Sequence, residues 1–187
     1  IVRAAVMICV VLTGRWVGRG RDQWQILGLA AAVVLASESA ARRLGTDHVT
    51  VRGVSTVTPT YPNTIPDLPD IAADSAVAVP VPEKTFKASI AAAAYEEAGI
   101  GPEELSLAEV YDLSTAMELD WYEDIGLCGP GEAEKLLRDG ATEIGGRIPV
   151  NTSGGLASFG EAVPAQALAQ VCEVTWQLRG DAGDRQV

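Results

Sequence analysis

Four stretches of this chain carry helix-forming sequence that stops at or just before a glycine. They are residues 38–44 ahead of Gly45, 86–98 ahead of Gly99, 115–127 ahead of Gly129, and 132–139 ahead of Gly140. Glycine there takes the left-handed backbone that closes a last helical turn. Around them lie apolar or β-branched runs at residues 29–36, 49–57, 105–112 and 148–150, each suited to a strand. Strands that alternate with helices confine a chain to the α/β class. The expectation is a mixed sheet with helices on both faces.

Individual residues sharpen this reading. Ser37 is placed to cap the helix at 38–44, and Thr85 the helix at 86–98, whose Phe86, Ile90, Ala93, Ala94 and Ala98 share one face. The run at 29–36 centres on Val33, Val34 and Leu35, which predicts a strand buried on both faces. Gly53 interrupts Val49, Val51 and Val54 and predicts a bulge. Residues 59–82 hold six prolines and predict a long extended loop, suited to a substrate flap or to a plain surface connection. Pro164 opens a last helix at 165–178, with Leu168, Val171, Cys172 and Leu178 expected on its core side.

Charge and cysteine usage narrow the function classes. The 187 residues are 48% hydrophobic, enough for a real core, and carry a formal charge of −11. An acidic surface repels a phosphate backbone, so the reading gives no nucleic-acid partner. Residues 1–27 run the other way, with four arginines against one aspartate. They read as an atypical N-terminal segment, truncated or foreign to a domain at 28–187. Their apolar run at 4–12 is shorter than the roughly 20 residues of a membrane span. It is followed by Arg15, Trp16 and Arg19 rather than a small-residue cleavage site, so neither a span nor an export signal is expected, and the location is read as cytoplasmic. Cys9, Cys128 and Cys172 are odd in number and lack CxxC spacing, which predicts buried reduced thiols; with His48 the single histidine, no metal site is expected.

Two loops carry the candidate chemistry. Tyr111 ends the strand-like run at 105–112 and precedes a helix, and ligands usually bind at the C-terminal ends of strands in open α/β sheets. A phenol there can donate a proton to a reacting oxygen or take one from it. Asp112 and Ser114 beside it are candidate substrate contacts; by local chemistry they are equally a turn former and a helix cap, and Tyr111 a half-buried strand residue. Asn151, Ser153, Gly154 and Gly155 form the second loop. Paired glycines let backbone approach a ligand, and amide and hydroxyl groups can hold a carbonyl or an anion. Gly160 is read as preceding a helix N-terminus, where free N–H groups favour negative charge. Glu161 at that entrance is either a helix-dipole partner or a base near substrate. GxGxxG, P-loop and GxSxG motifs are absent.

Three separated motifs, AEVYDLSTAMELDWYEDIGLCGPGEAEKLL, PVNTSGGLASFG and QLRGDAGDRQV, together with AAAVVLAS near the start, resemble the C-terminal half of the thiolase superfamily over residues 29–187. The likeness is to its sterol-carrier-protein-X, or lipid-transfer, type. It implies a layered α/β fold of two similar halves, of which this chain holds the C-terminal one, incomplete at its C-terminal end. It implies acyl-CoA substrates, with coenzyme A entering as part of the substrate and no bound cofactor. A homodimer or heterotetramer is implied for the full-length protein.

The departures from that family are chemical. A thiolase of this type reads His-Asp-Cys-Phe where this chain has Tyr111-Asp112-Leu113-Ser114, and Gly-His-Pro where it has Gly160-Glu161-Ala162. Both histidines of Claisen chemistry are thus replaced. The Tyr-Asp-x-Ser form resembles a subgroup that cleaves steroid side-chain CoA thioesters by a retro-aldol reaction. The resemblance implies an acid/base role for Tyr111 and, as partner, a zinc-ribbon/OB-fold acyl-CoA-associated protein. The function expected is a retro-aldolase subunit of sterol degradation. The alternatives are an acetyl-CoA acyltransferase, or a non-catalytic acyl-CoA or lipid-binding partner subunit.

Overall fold

The computed structural model of this chain describes residues 5–11, 31–45, 48–56, 86–161 and 165–187. Strands β1 (Ala5–Val11), β2 (Ala31–Ser37) and β3 (Val49–Thr50) form an antiparallel sheet in the order β2-β1-β3. β1 pairs with β2 along its whole length, from Ala5 opposite Ser37 to Val11 opposite Ala31, so the N-terminal stretch supplies the central strand. β2 runs straight into helix α1 (Glu38–Leu44). The Ser37 hydroxyl accepts the Ala40 N–H at 3.3 Å, and Gly45, at φ 63°, donates its N–H to the Ala41 carbonyl. Both ends follow the expected capping logic, in which a serine satisfies a first-turn N–H and a left-handed glycine closes the last turn.

β2 is not buried on both faces. Val34 and Leu35 are 52% and 63% exposed. Helix α6 (Ala165–Arg179) lies against all three strands, yet Val34 and Leu35, neighbours that point to opposite faces of β2, both meet solvent, so α6 does not cover the strand completely. The strand expected at 49–57 holds only for its first two residues. Gly53 marks a close approach rather than a bulge: a Cβ there would sit 2.7 Å from the Ala94 carbonyl oxygen and 3.2 Å from the Ala98 Cβ. Glycine thereby lets the segment rest on helix α2 (Phe86–Ala98), where Glu97 accepts the Val54 N–H at 2.9 Å. The proline-rich loop at 59–82 and the expected helix-start residues Thr85 and Pro164 lie outside the described residues.

Helix α2 packs on α3 (Thr115–Asp124). The Tyr95 hydroxyl donates to the Ile125 carbonyl at 2.7 Å. The Lys87 ammonium lies 5.0 Å from the Trp121 ring centre and 3.4 Å from the Asp124 carboxylate. α3 ends three residues before the expected 127, because the Leu127 N–H turns back to the Tyr122 carbonyl through left-handed Gly126. A short helix α4 (Ala133–Arg138) follows, and left-handed Gly140 comes just after it.

The core comprises Ala108, Val110, Tyr122, Leu127, Ala133, Ile148 and Val150. The runs at 105–112 and 148–150 are therefore central, as their apolar character demands, but they are not ladder strands. One parallel bridge, Ala108 with Val150, joins them. The mixed pairing expected of the sheet appears in that bridge, while the three named strands are antiparallel.

Helix α6 bears out its apolar reading at Cys172 alone, which is buried, and departs from it elsewhere. Its buried side chains are Gln166, Cys172, Glu173, Thr175 and Gln177, while Leu168 and Leu178 are 36% and 62% exposed. Apolar periodicity finds a core face only where the core is apolar, and here much of the buried face meets polar partners. Cys172 is disulfide-bonded, against the reading of reduced thiols, since separation in sequence does not measure distance in the folded chain. Cys128 is a free, half-buried thiol whose pKa burial pushes up. Among the described residues no helix is long and apolar enough to cross a membrane.

Candidate active site

The site grows from the place where the bridge between 105–112 and 148–150 stops. Ala108 donates its N–H to the Pro149 carbonyl at 3.0 Å, and its own carbonyl accepts the Asn151 N–H at 2.8 Å. Beyond this point side chains replace backbone partners. The Val110 N–H donates to Asn151 Oδ1 at 2.8 Å, and the Val110 carbonyl accepts from Gln170 Nε2 of α6 at 2.6 Å. Both polar groups of buried Val110 are thus satisfied without a neighbouring strand, as a buried backbone requires. The next residue, Tyr111, emerges at the end of this arrangement.

The 151–155 loop turns sharply. Asn151 has φ 52°, Gly154 φ 86° and Gly155 φ 61°. Gly154 donates its N–H to the Asn151 carbonyl at 2.8 Å, closing the turn. A short helix α5 (Gly155–Phe159) follows. Asp112 reaches its start: the two carboxylate oxygens accept the Leu156 N–H at 3.0 and 3.2 Å. A Cβ on Gly155 would fall on that carboxylate, so another residue there would displace Asp112 from the Leu156 N–H as well as strain the left-handed φ.

Gly160 terminates α5 at φ 83°, a role additional to preceding the next helix, α6, which begins at Ala165. That turn delivers Glu161 to Tyr111. The Tyr111 hydroxyl donates to Glu161 Oε1, fifty positions away in sequence. The hydrogen bond to this carboxylate, aided by burial and by the Glu161 charge, pushes the phenol pKa above its usual 10.0, against an opposing hydrogen bond from Gln166. The phenol therefore keeps its proton at neutral pH and has an acceptor waiting for it.

The sequence-predicted residues fall into two groups. Tyr111, Asp112, Asn151, Ser153, Gly154, Gly155, Gly160 and Glu161 come together within one hydrogen-bonded cluster of loop and helix ends. Ser114 is used differently, since its hydroxyl accepts the Met117 N–H at 3.3 Å as the cap of α3.

Beneath the loop lies a polar network that apolar patterning does not reveal. Glu109 accepts from the Ser153 N–H at 3.0 Å, the Ser153 hydroxyl at 2.6 Å and the Thr152 hydroxyl at 3.2 Å. Thr152 Oγ1 also lies 3.2 Å from Glu173 Oε1. Glu173, 2% exposed, is gripped by Arg185 through Nε at 3.2 Å and Nη2 at 2.8 Å, and by Gln177 at 3.0 Å. Burial acts to raise the Glu173 pKa, but hydrogen bonds from Arg185 and Gln177 and the Arg185 charge outweigh it and hold the group below 4.5. Glu109 goes the other way. Burial raises its pKa, the Glu173 charge adds to this, and the hydrogen bonds from Ser153 and Thr152 offset only part. The signal visible in the sequence is the charged residue inside an otherwise apolar strand-like run, with an arginine in the last motif, QLRGDAGDRQV.

Comparison with known proteins agrees with this architecture. Sterol carrier protein 2 of Rattus norvegicus is 35% identical over 158 residues, which cover 84% of this chain and 28% of that protein. The 17-hydroxy-3-oxo-4-pregnene-20-carboxyl-CoA lyase of Mycobacterium tuberculosis is 40% identical over 86 residues, 46% of this chain and 22% of that protein. This chain thus spans about a quarter of the length of these curated relatives. The solved Ltp2-ChsH2(DUF35) aldolase superposes with a TM-score of 0.58 at 24% identity, over 90% of this chain and 42% of that one, and shares the fold. The thiolase C-terminal domain-like family matches residues 75–187, and this α/β chain belongs to that family.

Proposed function

We propose that this chain is the C-terminal part of a retro-aldolase acting on steroid side-chain acyl-CoA thioesters, with Tyr111 as the acid/base. The observation that carries the reading is the Tyr111–Glu161 hydrogen bond, formed at the two positions where thiolase-like sequences of the condensing kind carry histidines. The similarity to a steroid side-chain CoA lyase supports the substrate class.

The chemistry needs few groups. The substrate is a β-hydroxyacyl-CoA with a tertiary alcohol. Tyr111 takes the alcohol proton as its own proton passes to Glu161. The alkoxide electrons form the ketone, the Cα–Cβ bond breaks, and its electron pair enters the thioester enolate. The proton held by Glu161 returns through Tyr111 to the enolate carbon, giving a shorter acyl-CoA and restoring both residues. Amide and hydroxyl donors of the 151–155 loop are suited to the enolate or the thioester carbonyl. Atoms and charge balance without a metal, an oxidant or a covalent cysteine intermediate. We further propose a partner subunit of the zinc-ribbon/OB-fold type; the name of the two-component Ltp2-ChsH2(DUF35) aldolase supports a partner for that relative.

The test uses the full-length protein with that partner and a 17-hydroxy steroid side-chain CoA thioester. Release of a 17-ketosteroid and propionyl-CoA is expected. A folded, partner-bound protein that releases neither overturns the reading.

A further inference from the structure

The loop that carries Asn151, Ser153, Gly154 and Gly155 turns sharply between the core and α5. Three of its residues have positive φ, and one of these, Asn151, is not glycine. The two glycines take such φ freely, and Asn151 is held there by the Val110 N–H that its Oδ1 accepts, so the middle of the loop needs its own tether. Glu109 is the side chain that meets the middle of the loop, taking three hydrogen bonds from Thr152 and Ser153. Ser153 Oγ in turn accepts the Gly155 N–H at 3.1 Å, so the chain of contacts runs from Glu109 to the start of α5. Glu161 hangs from the far end of α5 and reaches back to Tyr111.

We propose that Glu109 is a positioning residue: through Thr152 and Ser153 it fixes the 151–155 loop and α5, and so sets the Glu161 carboxylate against the Tyr111 hydroxyl. The catalytic part of this inference rests on the retro-aldolase reading; the structural part does not. Glu109 does not act alone. Thr152 Oγ1 stands between Glu109 Oε1 and Glu173 Oε1, 3.2 Å from each, and a hydroxyl has a single proton to give. Gln177 Nε2 supplies a further donor to both Thr152, at 3.3 Å, and Glu173. Arg185 closes the far side. The loop is thereby tied through Glu173 and Gln177 to α6, the helix that packs on the sheet. Glu173 is buried and Glu109 half-buried, and a carboxylate drawn out of water is costly unless its hydrogen bonds are complete, so the arrangement favours one loop conformation over its neighbours.

The experiment is hydrogen–deuterium exchange on the full-length protein, wild type against Glu109→Ala, read at residues 153–156 and, as a control, at α2. Hydrogen bonds to a charged group are worth enough that their loss should speed loop exchange about tenfold or more. The α2 amides should not change. Loop exchange equal to wild type overturns the proposal. Should Glu109→Ala also loosen α2, Glu109→Gln decides: it keeps the shape and removes the charge, so loop exchange should rise severalfold with α2 unchanged, and an unchanged loop again overturns it. Cleavage is measured on the same samples. A kcat reduced about tenfold, with KM moved less, supports the catalytic part; a loosened loop with kcat unaltered overturns it. If the wild type cleaves nothing, the retro-aldolase reading fails, while the exchange data still decide whether Glu109 holds the loop.

Discussion

The Tyr111 hydroxyl donates to Glu161 Oε1, joining the end of an extended core segment to the turn after α5. A phenol so placed resists ionisation, because the phenolate would face a carboxylate. Its folded pKa is raised above 10.0, so the contact contributes stability below that pH and loses it as pH rises through the folded value. Phenolate absorbance assigned to Tyr111, taken as wild type minus Tyr111→Phe, is expected to appear above pH 10.0. Glu161→Gln should bring that titration back down toward the ordinary value. A titration unmoved by Glu161→Gln would break the link between the two residues.

Gly155 and Gly45 separate steric from conformational demands on glycine. Both have left-handed φ, 61° and 63°, but only Gly155 has a neighbour where a Cβ would lie. Gly45→Ala should cost about 1–2 kcal/mol, the backbone preference alone. Gly155→Ala should cost more, because it also displaces the Asp112 carboxylate from the Leu156 N–H. Denaturant unfolding of the two variants tests this, and equal losses would contradict it.

The Glu173–Arg185 pair makes a prediction with a sign. Glu173 has its folded pKa held below 4.5, so its stabilising contribution is present above that pH and is lost as pH falls through the folded value. Arg185→Ala leaves the carboxylate buried with less compensation. The expected cost near neutral pH is about 2–3 kcal/mol, at the lower end for a broken buried pair because the Arg185 side chain is 43% exposed. Without Arg185, burial dominates and the Glu173 pKa should rise above 4.5, so its contribution should now fall as pH rises through the new value. Melting temperatures across the acid range check both the loss and the reversal of slope.

Local chemistry makes much of this fold legible. Ser37 and Gly45 bracket α1, and α2 spans 86–98 as its pattern predicts, because caps and glycine stops act over a few residues. The convergence of Tyr111 with the 151–155 loop is also readable, since both end core segments. What stays hidden depends on contacts between distant residues. Asn151 and Gln170 stand in for a strand at Val110, which no periodicity encodes. Glu173 and Gln177 are buried and Glu109 half-buried because Arg185, the loop and the Gln177–Glu173 bond satisfy them, so a search for apolar faces passes over them and selects Leu168 and Leu178, which are exposed. Gly160 does precede the helix that begins at Ala165, but it also closes a five-residue helix at 155–159 that no periodicity announces.

The most direct measurement is Tyr111→Phe beside wild type in the full-length, partner-bound protein, assayed for cleavage of the 17-hydroxy steroid side-chain CoA thioester. The substitution removes one oxygen and leaves the ring. If Tyr111 is the acid/base, kcat should fall about 10²–10⁴-fold with the protein still folded and KM little changed. Cleavage at the wild-type rate in Tyr111→Phe would contradict the assignment.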